Sequence, residues 1–276
     1  MDYQKLNNGV EIPMLGLGVF RMEEDKEAYN AVRKAIDLGY RHIDTAMVYE
    51  NEEPIGRAIR ESGVNREDLF VTTKLWNVDI ANDNAQRAIE TSLRKLGLDY
   101  VDLYLVHWPI EDKYVTVWRD MVKILQSRKA ISIGVSNYTE KHLQEIINLK
   151  THVPAVNQVE LHPYLSQKPL VEFCTQHNIK VASWSPFCAN KNNLLDEQSL
   201  KEIGEKYSKT AAQVVLRWNI ERGLIVIPKS SNLTRQAENL DVFDFELTTD
   251  DMQRIDALNK DMRVGPHPEE VGFLNN

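Results

Sequence analysis

The chain has 276 residues, 42% hydrophobic and 27% charged, with a formal net charge of −8. That length can bury a full core, and its interspersed charges argue against a nucleic-acid or anionic-membrane surface while allowing a local basic pocket. No apolar run nears the ~18 residues that span a bilayer, MDYQKLNNGVEIP lacks a leader pattern, and Cys174 and Cys188 have neither metal nor redox spacing, so a cytoplasmic, thiol-reduced monomer is expected.

The chain opens on KLNNGVEIP, where Asn8-Gly9 between short alternating runs predicts a β-hairpin. A short strand follows at 15–17. Helix and strand periodicities then alternate: helix 26–38 before strand 40–45, 52–62 before 69–74, 81–96 before 100–107, and 116–127 before 130–135. The pattern continues with 141–149 before 155–160, 168–177 before 180–184, and 200–207 and 211–222 before 224–227. Gly39, Gly63, Gly97, Asn178 and Gly223 stand at helix C-cap positions.

Repeated strand–helix units make a parallel sheet, and eight of them in about 250 residues match a closed barrel. A doubly wound sheet is the rival. Gly16 and Gly18 supply two glycines of its GxGxxG fingerprint, but position 21 is Arg21. No linker divides the chain. The expectation is therefore one α/β domain over 1–276, a (β/α)8 TIM barrel. The hairpin would close its bottom, and the irregular tail after Leu258 would form a loop over the active-site end.

Four residues stand at or just beyond strand ends: Asp44 in RHIDTA, Tyr49 five residues later, Lys74 closing LFVTTK and His107 closing VDLYLVH. Strand side chains alternate, so Lys74 shares a face with Phe70 and Thr72, and His107 with Leu103 and Leu105. Barrel active sites form at C-terminal strand ends. A tyrosine titrates near 10, and a nearby ammonium stabilises its phenolate and lowers that value. Asp44 would keep Lys74 charged. His107 would donate to a substrate oxygen or assist proton transfer, and a carbonyl oxygen would meet two donors where charge develops.

Singly, each residue has a plainer reading. Asp44 could cap a loop, Lys74 could be a strand-end lysine, and His107 a hydrogen-bonded core histidine. The four together point to carbonyl reduction. A metal site is not expected: there is no HExxH, and His107 and His162 lack a third ligand at suitable spacing.

Ser136, Asn137 and Gln158 follow or end strands, where they could bind a carboxamide or cap turns. Trp184 could stack on a nicotinamide ring or fill core. Lys229 and Ser230 follow the last strand. Arg235, Glu238 and Asn239 lie on the next predicted helix, with Arg235 and Asn239 sharing a face. This group reads as a phosphate pocket or as a solvated helix. Phe20, Trp76 and Trp108 could wall a carbonyl substrate, and the two tryptophans could instead pack the barrel rim.

The runs GYRHIDTA with Tyr49, TTKLW, LVHWP, IGVSN, NQVELHP, SWSP and IPKS occur in this order. In this the chain resembles the aldo-keto reductase family nearly end to end. The resemblance implies an NADPH-dependent barrel without a Rossmann domain. It makes Tyr49 the general acid, with Asp44, Lys74 and His107 completing a tetrad and Asp44 also touching the cofactor. It places the nicotinamide against Ser136, Asn137, Gln158 and Trp184, with Gly18, Val19 and Phe20 lining the approach. Ser185, Pro186 and Phe187 would follow the pyrophosphate. Lys229, Ser230, Arg235, Glu238 and Asn239 would surround the 2′-phosphate, so NADPH should be preferred to NADH. Phe20, Tyr49, Trp76, His107 and Trp108 would face small carbonyl substrates.

One run departs from the pattern. SPFCANKN stands where the family more often has SPLG, so Phe187 and Cys188 replace small or flexible residues along the pyrophosphate. The stretch 190–193 is short for a clamping loop, which implies faster cofactor exchange. Short loops and VGPHPEE resemble the small bacterial and protist members. Those include glyoxal and methylglyoxal reductases, 2,5-diketo-D-gluconate reductases and prostaglandin F synthases, and an open pocket for varied aldehydes and dicarbonyls follows. Two alternatives stand beside this. One is an NADPH-binding regulatory or redox-sensing barrel of slow turnover, like the potassium-channel β subunits. The other is a lyase using Lys74 as a Schiff base, against which Asp44 and Tyr49 argue.

Overall fold

The computed structural model describes residues 1–270. Strands β1 (Tyr3–Lys5) and β2 (Glu11–Pro13) form the antiparallel hairpin, with Gln4 opposite Ile12. Gly9 turns it at φ +90°, a region that glycine enters at least cost. Asn7 Nδ2 donates to the carbonyls of Val153 and Pro154, and Asn8 Nδ2 to the carbonyl of Ile131 and to Ser132 Oγ. Leu6 and Ile12 bury against Phe70, Leu103, Val156 and Ile225. The hairpin is thus an apolar plug, hydrogen-bonded into the barrel's N-terminal end.

Eight parallel strands follow: β3 (Leu17–Gly18), β4 (His42–Asp44), β5 (Phe70–Leu75), β6 (Val101–Val106), β7 (Ala130–Ser136), β8 (Val156–Glu160), β9 (Lys180–Trp184) and β10 (Ile225–Ile227). Each pairs with its neighbour in sequence. The seam between β3 and β10 is closed by bridges Leu15–Val226 and Gly18–Lys229, with Gly18 N donating to Pro228 O at 3.0 Å. Strand pairing thus covers the predicted 15–17 and runs one residue beyond it, to Gly18. An inner cluster including Phe70, Leu103, Leu105, Val156 and Ile225 fills the barrel, and a larger cluster packs among and beneath the helices. The strands are buried on both faces, as a parallel sheet covered by helices requires.

The helices are α1 (Asp25–Leu38), α2 (Glu52–Arg60), α3 (Asn77–Ala81), α4 (Ala85–Leu96), α5 (Tyr114–Gln126), α6 (Glu140–Asn148), α7 (Lys168–Gln176), α8 (Gln198–Tyr207), α9 (Ala211–Glu221), α10 (Leu233–Leu240) and α11 (Thr249–Asp256). In α1, Ala28, Ala31, Val32, Ala35 and Ile36 recur at helical spacing and are buried. All five predicted C-cap residues lie at positive φ. The expected helix 81–96 begins only at Ala85, as α4, and α3 precedes it unexpectedly; between them lie Asn82-Asp83-Asn84, short polar residues that tolerate left-handed backbone, and Asp83 adopts φ +54°. Helix α11 was not among the expected elements. Its start is a capping box in which Thr248 Oγ1 accepts from Asp251 N and the Asp251 carboxylate accepts from Thr248 N.

The tail crosses the C-terminal ends of β8 and β9, as expected. The amides of Lys260 and Met262 donate to Tyr164 O, and those of Val264 and Gly265 to the Glu160 carboxylate. The last part of the expected loop, 271–276, lies outside the described residues. Among the described residues no helix is long and apolar enough to cross a membrane.

Candidate active site

Strands β4 and β5 end side by side, and their inward parity brings Asp44 and Lys74 together. Lys74 Nζ donates to Asp44 Oδ1 at 2.5 Å and to Thr45 O at 2.8 Å. Gln158 Nε2, from across the barrel, donates to Asp44 Oδ2 at 2.7 Å. Both charges are buried. A buried ion pair is tolerable only when its remaining hydrogen-bonding capacity is met, and Thr45 and Gln158 help to meet it.

Just after β4 the chain makes one tight turn, Met47–Tyr49, that swings Tyr49 back over the strand end. Its ring centroid lies 5.1 Å from Lys74 Nζ and 5.7 Å from the His107 ring, edge to face. Phe20 stacks at a tilt 5.1 Å from Tyr49, and Trp76 meets His107 at 5.1 Å. The acid, ammonium, phenol and imidazole therefore converge as expected.

Their protonation differs in one respect from expectation. Burial raises the Tyr49 phenol above its ordinary 10.0; the Lys74 charge pulls it back only in part, and Asp44 adds to the rise. The expected lowering is outweighed because the site removes water from the phenol and because Asp44 offsets much of the lysine's field. Tyr49 thus carries its proton at neutral pH. Burial opposes the charge on Lys74, but Asp44 and then Tyr49 outweigh it and hold the ammonium above its ordinary value. Burial, joined by the Lys74 charge, drives His107 well below its ordinary 6.5, so the imidazole is neutral. Its buried Nδ1 has no hydrogen-bond partner among the described residues.

The ends of β7, β8 and β9 form one hydrogen-bonded wall. Ser136 Oγ donates to Gln158 O at 2.8 Å, and Asn137 Nδ2 donates to Ser136 Oγ at 3.1 Å and to His107 O at 3.0 Å. Trp184 Nε1 donates to Asn137 Oδ1 at 2.9 Å, leaving the indole partly exposed. Ser136 and Asn137 were open to two readings, binding a carboxamide or capping turns. Here they also bind each other, the His107 backbone and the indole. Val19 is wholly buried, so its side chain belongs to the core, whereas Phe20 is 51% exposed. Trp108 is buried, so the exposed apolar wall beside Tyr49 and His107 is Phe20 and Trp76.

Farther along the rim, Asn232 Oδ1 caps α10 by accepting from Arg235 N at 3.0 Å, and Ser230 Oγ accepts from Asn232 N. Lys229 and Arg235 are exposed and have no carboxylate partner within ion-pair distance among the described residues. Free first-turn amides beside two unpaired cations suit an anion. Glu238 is exposed, while Asn239 turns inward and is buried. After β9, Ser185, Cys188, Ala189, Asn192 and Asn193 all adopt left-handed φ near +50°. Cys188 is buried at φ +54°, a conformation that suits the glycine more common there in the resembling family. Phe187 packs partly against the core.

Sequence reasoning missed two groups. The Thr45 carbonyl is a backbone acceptor and leaves no trace in composition. Glu160 stood within NQVELHP without a role; the available signal was its place two residues beyond Gln158, on the same parity at the C-terminal end of the strand.

The aldo/keto reductase family model matches residues 14–260. The chain is 50% identical to a glyoxal reductase of Bacillus subtilis (strain 168), over 99% of this chain and 98% of that one. It is 43% identical to the methylglyoxal reductase DkgA of Escherichia coli (strain K12), over 97% of each. The crystal structure of a Bombyx mori aldo-keto reductase in complex with NADP superposes with a TM-score of 0.92 at 39% identity, over 98% of this chain and 97% of that one. With the barrel, the buried tetrad and the basic α10 rim in place, the chain belongs to the aldo/keto reductase family and is an NADPH-dependent oxidoreductase.

Proposed function

We propose that the protein reduces small reactive aldehydes and dicarbonyls to alcohols, with Tyr49 as the proton donor. The observation that carries this reading is the Tyr49 phenol packed against a buried Asp44–Lys74–His107 cluster, opening onto the apolar wall of Phe20 and Trp76. The residues fit NADPH. Ser136, Asn137, Gln158 and Trp184 would hold its nicotinamide end, Gly18 and Phe20 would border the approach, and Ser185, Pro186 and Phe187 would follow the pyrophosphate. Lys229, Ser230 and Arg235 would take the 2′-phosphate, with Glu238 and Asn239 nearby. When bound, NADPH supplies a hydride equivalent to the carbonyl carbon.

The chain's own residues manage the proton. Tyr49 gives its phenolic proton to the carbonyl oxygen. The burial that keeps the phenol protonated also makes the resulting phenolate costly, and Lys74 offsets that cost by its charge. Asp44 holds Lys74 in place, and Gln158 and Thr45 complete the pair's hydrogen bonds. Neutral His107 is a hydrogen-bond donor for the carbonyl oxygen rather than a second charge. All four tetrad residues come from one chain, so a monomer suffices, and the buried free thiols Cys174 and Cys188 suit a reducing cytoplasm.

The relatives' names support glyoxal and methylglyoxal as substrates. An apolar rim separates substrates weakly, since a methylene there is worth only ~1–3 kcal/mol. With NADPH, the protein is expected to reduce methylglyoxal, glyoxal and a substituted benzaldehyde, all faster than simple ketones. Tyr49→Phe should retain NADPH binding and lose more than about nine-tenths of turnover. A chain that binds NADPH but reduces nothing in the panel would instead support the regulatory reading. Retained turnover in Tyr49→Phe would remove the proton-donor role.

A further inference from the structure

A second carboxylate stands in the barrel mouth and takes no part in the proposed reduction. Glu160 ends β8 two residues beyond Gln158, on the same inward parity, and is paired in register with Trp184. It is wholly buried. Buried carboxylates need donors, and these donors come from the protein. His162 Nε2 lies 3.1 Å from Oε1, Val264 N donates to Oε1 at 2.7 Å and Gly265 N to Oε2 at 3.0 Å, with Arg263 Nη1 3.8 Å from Oε2. Burial raises the group's pKa, yet His162 and the Val264 and Gly265 amides hold it below the ordinary carboxylate value, so it stays ionised.

The two amides belong to the C-terminal tail, and the tail meets Trp184. A side chain at Gly265 would place its Cβ 2.5 Å from Trp184 Cη2, on the edge of the indole remote from Nε1, and 3.0 Å from Glu160 Oε2. Gly265 is not among the positive-φ glycines, so the requirement is for space rather than for backbone freedom. The indole is thus tied to Asn137 at its nitrogen and bounded by tail backbone at its far edge. Along this flank the tail lies beside a cavity of about 150 Å³ partly lined by Arg263, His267 and Pro268, so close packing is incomplete there.

We infer that Glu160 is a positioning residue: by holding the Val264 and Gly265 amides it seats the tail against Trp184, and so sets the wall that receives the nicotinamide. This rests on the NADPH site proposed above. Glu160→Gln keeps the shape but replaces one acceptor oxygen by a donor facing a backbone N–H. Hydrogen exchange of the free variant should be about tenfold faster in peptides spanning 263–268, with β4 to β6 unchanged. Its Kd for NADPH, read by quenching of protein fluorescence, should rise about three- to tenfold.

Gly265→Ala lies outside the core and should raise Kd similarly. In a Trp184→Phe background its effect should be clearly smaller, because the tightest contact is gone and only the approach to Glu160 Oε2 remains. Unchanged exchange in Glu160→Gln overturns the inference. So does faster exchange with unchanged Kd, or a Gly265→Ala effect that is undiminished without the indole. If Glu160→Gln does not fold, the Gly265→Ala pair decides. A wild-type chain that binds no NADPH removes the functional reading and the positioning role together. Failure of the exchange or pair measurements with normal NADPH binding removes the positioning role alone.

Discussion

Lys74 carries a full charge where there is no bulk water, and Asp44 makes that possible. Each exists there because of the other. Lys74→Met keeps the bulk but leaves Asp44 a buried carboxylate with Gln158 as its remaining side-chain donor. Breaking a buried pair from one side costs about 3–5 kcal/mol, so the variant should lose stability of that order in urea unfolding. It should also lose turnover, because nothing remains to offset the Tyr49 phenolate. A variant with unchanged unfolding midpoint and rate would show that the pair contributes to neither.

Two elements along the rim have separable tasks. At the start of α10, Arg235 stands exposed, its own backbone N–H capped by Asn232. Arg235→Ala should weaken NADPH by roughly tenfold or more, the scale of one charge-assisted contact. NADH, which lacks the 2′-phosphate, should be little affected; equal losses for both would remove the phosphate assignment. The loop after β9 holds strain instead. Ala189 is exposed at φ +49°, where a side chain costs about 1–2 kcal/mol. Ala189→Gly relieves that at some cost in chain entropy, for a net gain of about 0.5–1 kcal/mol. Thermal unfolding should move up by a degree or more, and a drop would contradict the left-handed backbone there.

At the scale of the whole barrel, inward parity places histidine as well as acid in the interior. His42 shares a face with Asp44, and its Nε2 lies 3.1 Å from Thr72 Oγ1. Burial lowers its pKa from 6.5 to about 4, with Asp44 opposing and Lys74 assisting. The folded value is below the unfolded one, so folding favours the neutral ring. That stability is fully present above 6.5 and is lost as pH falls toward 4, by roughly 3 kcal/mol. His107 shifts in the same direction and adds to the loss. Urea unfolding at stepped pH values should therefore show stability falling below 6.5, with NMR placing the His42 titration near 4. A flat profile between pH 7 and 5 would show that neither ring is held neutral.

The amino-acid sequence by itself determined the features that local physics enforces. These are the alternation of periodicities, the left-handed residues closing helices, the hairpin at Asn8-Gly9 and the parity carrying Asp44, Lys74 and His107 to one end. Even α11 has a local signal, the capping box of Thr248 and Asp251. Tertiary structure decided what depends on distant partners and on water. Gln158 completes Asp44 from 114 residues away, and Val264 reaches Glu160 across 104. The direction of the Tyr49 shift, the burial of Val19 and Trp108 and the seat of the tail were likewise decided there. Residue spacing specifies which groups point inward, but desolvation and long-range donors depend on how completely the folded barrel closes over them.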